Sequence, residues 1–116
     1  MVVHNVKDLQ EVVPHGGEAV GTRGWLLVGK KDGATNFYMR LFEVEPGGNT
    51  PRHSHPWEHE VYVIEGSGKA HGKDRAVELK AGDALFIPPD EYHFISAGSS
   101  GIKFICCIPS SADAEI

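Results

Sequence analysis

Cysteine is almost absent from this chain: two in 116 residues, and the two are neighbours, Cys106-Cys107. Adjacent cysteines do not staple a fold, so a disulfide scaffold is excluded and a reducing compartment fits. No apolar run approaches the length needed to span a bilayer as a helix, so no membrane partner is expected. The start, Met1-Val2-Val3-His4-Asn5, lacks the basic and apolar regions of a secretory signal, and the expected location is cytoplasmic. Basic residues are outnumbered, 11 Lys and Arg against 16 Asp and Glu, for a formal charge of −5. With no basic stripe, a nucleic-acid surface is not expected. Ser, Asp and His show no spacing that suggests a nucleophilic triad, and no phosphate-cradling glycine loop precedes a helix. The length suits one domain, residues 1–116, with a real core.

What the chain has in quantity is punctuation. Fourteen glycines and seven prolines break it into short apolar runs. Strands are predicted at Gly24–Val28, Asn36–Val44, Thr50–His55, His59–Glu65, Arg75–Leu79, Ala84–Ile87, Tyr92–Ala97 and Ile102–Ile108. About eight short strands suit an all-β sandwich or jelly roll. The helix candidate is Val6–Val13, with Asn5 as cap and Pro14 as stop. The tail from Ser110 to Ile116 is expected to fray.

The chemistry concentrates in His53-Ser54-His55-Pro56-Trp57-Glu58-His59 and in His93. His53 and His55 are two apart, so on a strand both side chains leave one face. His59 opens the next predicted strand. Imidazole is the commonest protein ligand for transition metals, and four of them can be gathered round one ion by a small β-protein. The expected ligands are His53, His55, His59 and His93.

Two segments repeat a theme of glycine turn, strand, break and His-bearing strand: Gly47 to Gly66, and Gly82 to Ala97. Both resemble the motifs of the cupin superfamily. The first cupin motif, G(X)5HXH(X)3,4E(X)6G, matches Gly47, His53, His55 and Gly66, with His59 where the motif has Glu. The second, G(X)5PXG(X)2H(X)3N, matches Gly82, Pro88 and His93, with Asp90 for the turn Gly and Ala97 for the final Asn. The motif-bearing core is residues 36–109. His for Glu at the third ligand resembles a subset of small single-domain cupins with four-histidine sites. The runs Asn36 to Phe42, Val44 to Gly48 and His53 to Glu60 are similar to small manganese-binding cupins of that subset. The resemblance implies a double-stranded β-helix with one divalent transition metal per chain. Manganese is implied by the resemblance, whereas imidazole chemistry admits Fe, Cu, Ni or Zn.

Four neutral imidazoles leave a divalent ion its full charge, which favours an anionic oxygen ligand and makes bound water more acidic. Along Ile102 to Ile108, alternation puts Phe104 and Cys106 on the inner face and Cys107 on the outer. Cys106 and Phe104 are candidate cavity residues, and an inward Arg40 would hold a substrate carboxylate. Trp57 would shield the metal mouth or pack on a second subunit. Glu58 and Glu60 are possible acceptors for imidazole N–H groups. His4, His15 and His71 read as surface residues. The expected partners are a small-molecule ligand and a second copy of the chain, because a fold this small exposes sheet edges. The leading expectation is a metal-dependent oxidoreductase of dioxygenase type. A non-redox isomerase or lyase, or a binding and sensing module without turnover, is the alternative. Fold alone decides nothing, because cupins host many activities.

Overall fold

The computed structural model describes residues 1–12, 14 and 18–112. Six strands are found among them: β1 (Val20–Val28), β2 (Phe37–Asn49), β3 (His59–His71), β4 (Ala76–Lys80), β5 (Ala84–Ile87) and β6 (Phe94–Pro109). Every pairing is antiparallel. The order is β1-β2-β6-β3-β4, with β5 also on β3. This is the all-β jelly roll expected from the sequence.

Six strands rather than eight form because several glycine-rich stretches bend strands instead of ending them. β2 and β3 flank β6, and the ladders of all three are interrupted at one level. Register breaks fall between Val44 and Asn49 on β2 and between Val63 and Gly68 on β3. Gly47, Gly66 and Gly101 all take positive φ there. A Cβ on Gly66 would lie 2.1 Å from the carbonyl oxygen of Gly101, so only glycine lets the two backbones approach. The predicted strands Tyr92–Ala97 and Ile102–Ile108 are therefore two halves of β6, and His59–Glu65 is the first half of β3. β2 likewise runs through Glu45-Pro46-Gly47-Gly48.

The expected strand Thr50–His55 is not one. It belongs to the connection between β2 and β3 and makes a single bridge, His53 with His93. The expected helix over Val6–Val13 shortens to one 3₁₀ turn, Val6–Asp8, capped by Asn5 Oδ1, which accepts from the Lys7 N–H at 2.9 Å. Val12 instead bridges Gly24 in extended form, and Val13 lies outside the described residues. Two short apolar turns could not repay helix nucleation without a core-facing stripe.

Alternation sets the core. On β6, Ile102, Phe104, Cys106 and Ile108 are buried, while Lys103, Ile105 and Cys107 are only half-buried. Their neighbours Phe42, Val44, Val61 and Val63 complete the interior, with Phe42 and Phe104 rings 5.5 Å apart. Side chains of this size contribute roughly 1.5–3 kcal/mol each on full burial. Val63 and Ile108 are fully buried, at 0% exposure.

Candidate metal centre

His59 is the first residue of β3, His93 precedes β6, and His53 and His55 lie on the connection between β2 and β3. That connection is pinned to the rim of β6. The Thr50 N–H donates to Ile95 O at 2.8 Å, and the Ile95 N–H to Thr50 Oγ1 at 2.8 Å. The His53–His93 bridge adds two bonds, at 3.2 and 2.9 Å. Asp90 donates its N–H to His55 O at 2.7 Å. Asp90 has φ 69, so it keeps the left-handed turn that the second motif assigns to glycine. Asp tolerates that region better than most residues.

These ties bring the four imidazoles together, with one ring nitrogen from each lying within 4.8 Å of the others. The rings meet edge-on, at 66–76°. His55 Nδ1 donates to Trp57 O at 2.9 Å and His93 Nδ1 to Glu91 O at 2.8 Å. Each bond fixes the tautomer that leaves Nε2 with a free lone pair. His55 Nε2 and His59 Nε2 stand 2.8 Å apart. Two lone pairs do not face each other at that distance without a proton or a cation between them. Burial and neighbouring positive groups hold all four rings neutral: His53 is pushed down to about 4 and His59 to about 2, burial being the largest cause in each. His55 and His93 are lowered as well, again mainly by burial. Neutral imidazoles with free lone pairs are the ligating form, so the donor set fits a divalent transition metal.

His59 has no backbone carbonyl at Nδ1. That nitrogen lies 2.9 Å from Cys106 Sγ and 3.2 Å from Arg40 Nη2, and Arg40 Nη2 donates to Cys106 Sγ at 3.1 Å. Register explains the grouping, because Arg40, Cys106 and Val61 are lateral partners on β2, β6 and β3. Burial raises the Cys106 thiol, and Arg40 opposes that shift. Arg40 is 6% exposed.

The histidines floor a cavity of about 280 Å³, walled by Phe42, Val61, Ile87, Ile95 and Phe104, with Arg40 and Cys106 also lining it. No Asp or Glu lines it among the described residues. Arg40, Cys106 and Phe104 therefore face inward, as considered from the sequence. Trp57 lines the cavity too, stacked on His55 at 4.3 Å and 7°.

Glu58 and Glu60 make no hydrogen bond to an imidazole; backbone carbonyls and a sulfur take that part instead. Glu60 points out of the barrel because it follows the inward His59 on the same strand. His4 is exposed and contacts Asp32 at 2.6 Å. His71 is half-buried rather than free on the surface: it stacks on Phe94 at 4.3 Å and meets Ser96 Oγ at 2.8 Å. His15 lies outside the described residues. The Arg40–Cys106–His59 contact and the Trp57 stack were not legible in advance. The first depends on strand register, and the second on the path of an irregular connection.

Comparison with known proteins sets this geometry in a family. A polyketide cyclase, RemF from Streptomyces resistomycificus, superimposes with a TM-score of 0.87 at 35% identity, over 95% of this chain and 80% of that one. The oxalate-binding protein of Thermotoga maritima is 34% identical over 74 residues, 60% of this chain and 61% of the other. Polyketide synthase CurC of Streptomyces cyaneus is 34% identical over 102 residues, 86% of this chain and 66% of the other. The chain spans between about half and two thirds of the length of the curated relatives it matches. The Cupin domain matches residues 40–108, more than half of the chain, and the protein therefore belongs to the cupin family.

Proposed function

We propose that this protein is a mononuclear metal enzyme, with His53, His55, His59 and His93 as ligands, acting on a small organic anion that presents carbonyl or enolate oxygens. The observation that carries the reading is the convergence of four neutral imidazoles beneath an apolar cavity that no acid lines among the described residues. When bound, a divalent ion with four neutral ligands keeps its full charge and serves as a Lewis acid toward substrate oxygens. The chain's own residues do the rest. Phe42, Phe104, Val61 and Ile87 exclude water, which strengthens every charge interaction inside. Trp57 holds His55 in plane, and Arg40 adds positive charge behind His59.

Among the reactions such a site supports, a non-redox rearrangement or ring closure of a carbonyl compound is the first reading, because RemF and CurC are polyketide proteins. Dioxygenase-type oxidation, the leading expectation from sequence, becomes the second, and binding without turnover the third. One experiment separates them. Protein purified without affinity-tag metal is analysed for elements, then given a small β-diketone substrate in an oxygen electrode. Metal-dependent product without oxygen uptake is expected. Stoichiometric oxygen uptake would move the assignment to a dioxygenase, and saturable binding with no product to a sensing module.

A homodimer belongs to the same proposal. Phe37, Met39, Tyr62, Ile64 and Phe86 are exposed on the outer face of β2, β3 and β5, an apolar patch that a second copy would cover. Light scattering of wild type and Tyr62→Glu, expected as dimer and monomer, checks it.

A further inference from the structure

Among the described residues, Arg40 is a buried cation without a charge partner. It is 6% exposed, and none of the ion pairs among the described residues involves it. Its Nε has no hydrogen-bond partner among the described residues. Its polar contacts are a thiol and an imidazole, Cys106 Sγ at 3.1 Å and His59 Nδ1 at 3.2 Å, and neither supplies a full negative charge. The face of Phe42, 5.1 Å away, offers only partial compensation. Arginine does not escape by losing its proton, and an uncompensated buried charge is strongly destabilising. The fold nevertheless directs Arg40 to the wall of a cavity that no acid lines among the described residues. The described residues supply no such complement, and a ligand that enters the cavity can bring one.

We propose that Arg40 is the anion-recognition residue of the cavity, taking a carboxylate or enolate oxygen of the bound organic anion. This rests on the reading of the cavity as the substrate site and adds to it the residue that reads charge. The guanidinium and the imidazole cluster lie on the same cavity, and His59 contacts both sets. With a divalent ion held by the four histidines, an anion entering there would meet positive charge from two directions. The cavity's 280 Å³ is at the small end for ligand sites, and its other walls are apolar. The fitting ligand is therefore a compact organic anion with one charged end.

The test uses the full chain loaded with zinc and two small probes, malonate and its neutral analogue malonamide, titrated by calorimetry. Wild type is expected to prefer malonate. Arg40→Met should weaken malonate by about 10- to 100-fold, the range for losing a hydrogen bond to a charged group, with malonamide binding and zinc content unchanged. Unchanged malonate affinity overturns the proposal. Equal losses for both probes, or loss of zinc, overturn it as well, because Arg40 would then shape the cavity rather than read charge. If Arg40→Met does not fold, Arg40→Lys carries the test: it should keep the malonate preference with a smaller loss, and equal losses for both probes count against the assignment. A zinc-loaded wild type that shows no preference for malonate would remove the substrate-site reading together with this one. A preference that Arg40→Met leaves intact would remove this one alone.

Discussion

Truncating Cys106 should weaken metal binding although its sulfur is not placed as a ligand. A ligand that coordinates through Nε2 carries its proton on Nδ1 and needs an acceptor there. His55 and His93 have backbone carbonyls for this, whereas His59 Nδ1 faces only Cys106 Sγ and Arg40 Nη2. Guanidinium has no acceptor atom, so the sulfur at 2.9 Å is what the His59 N–H can use. Cys106→Ala leaves a buried N–H opposed by a second donor. An unsatisfied buried donor costs about 1–3 kcal/mol, and loss of such outer partners lowers metal affinity by about 10- to 100-fold; at 1.4 kcal/mol per decade the two ranges agree. Cys106→Ser restores an acceptor of shorter reach and should recover most of the loss. A chelator competition titration on wild type and both variants measures the effect, and the melting temperature of the metal-free forms controls for folding. If Cys106→Ala holds metal as tightly as wild type, the hydrogen-bond assignment at His59 is wrong.

Acid should destabilise the metal-free protein early. The folded-state values of His53, about 4, and His59, about 2, lie below the ordinary 6.5, so the unfolded chain binds more protons across that window. Stability is therefore full above about pH 6.5 and falls as pH drops through the window, by at most about 1.4 kcal/mol per pH unit for each group. Urea unfolding at pH 7, 6 and 5 checks this, and a flat profile would contradict it. His93→Ala should lower metal content sharply, whereas His71→Ala, which loses only its Phe94 stack and Ser96 contact, should not; elemental analysis showing equal loss would mean non-specific binding. Bulky thiol reagents should modify the half-buried Cys107 before the buried Cys106, as peptide mass mapping of Cys106→Ser and Cys107→Ser variants would show; the reverse order would contradict the inward placement of Cys106.

The grouping of His53, His55 and His59 was legible from short-range spacing, whereas His93, on a later predicted strand, joined it through the resemblance to the second cupin motif. His53 and His55 project together from a two-residue interval even though their segment is a connection and not a strand. His59, and not Glu60, joins them because strand alternation sends the two to opposite faces. The inner face of β6 followed from the same period. What did not follow was whether Gly66 and Gly101 end strands or bend them. A glycine run carries the same signal for both, and the answer depends on a contact between residues far apart in sequence. The helix expected at Val6–Val13 forms only one 3₁₀ turn, because its cap is real but none of that turn's residues is buried. The Arg40–Cys106–His59 contact depends on the pairing of three strands, which no local pattern contains.

The departure of the first motif and the isolation of Arg40 have one cause. Where the cupin motif places Glu, this chain has His59, and the ring nitrogen of His59 lies 3.2 Å from Arg40 Nη2. A carboxylate near that point would pair with the guanidinium and lower the charge of a bound ion at the same time. Imidazole does neither, so cavity and ion both keep their positive charge. The apolar walls magnify the effect, since charge is poorly screened where water is excluded. Exchanging one ligand would therefore change more than metal preference: under the proposal for Arg40, the balance of charge would come with the ligand. With an ion bound, anions would gain by that difference and neutral analogues would not, so the proposed selectivity for charge would follow from His59 and Arg40 acting on the same volume.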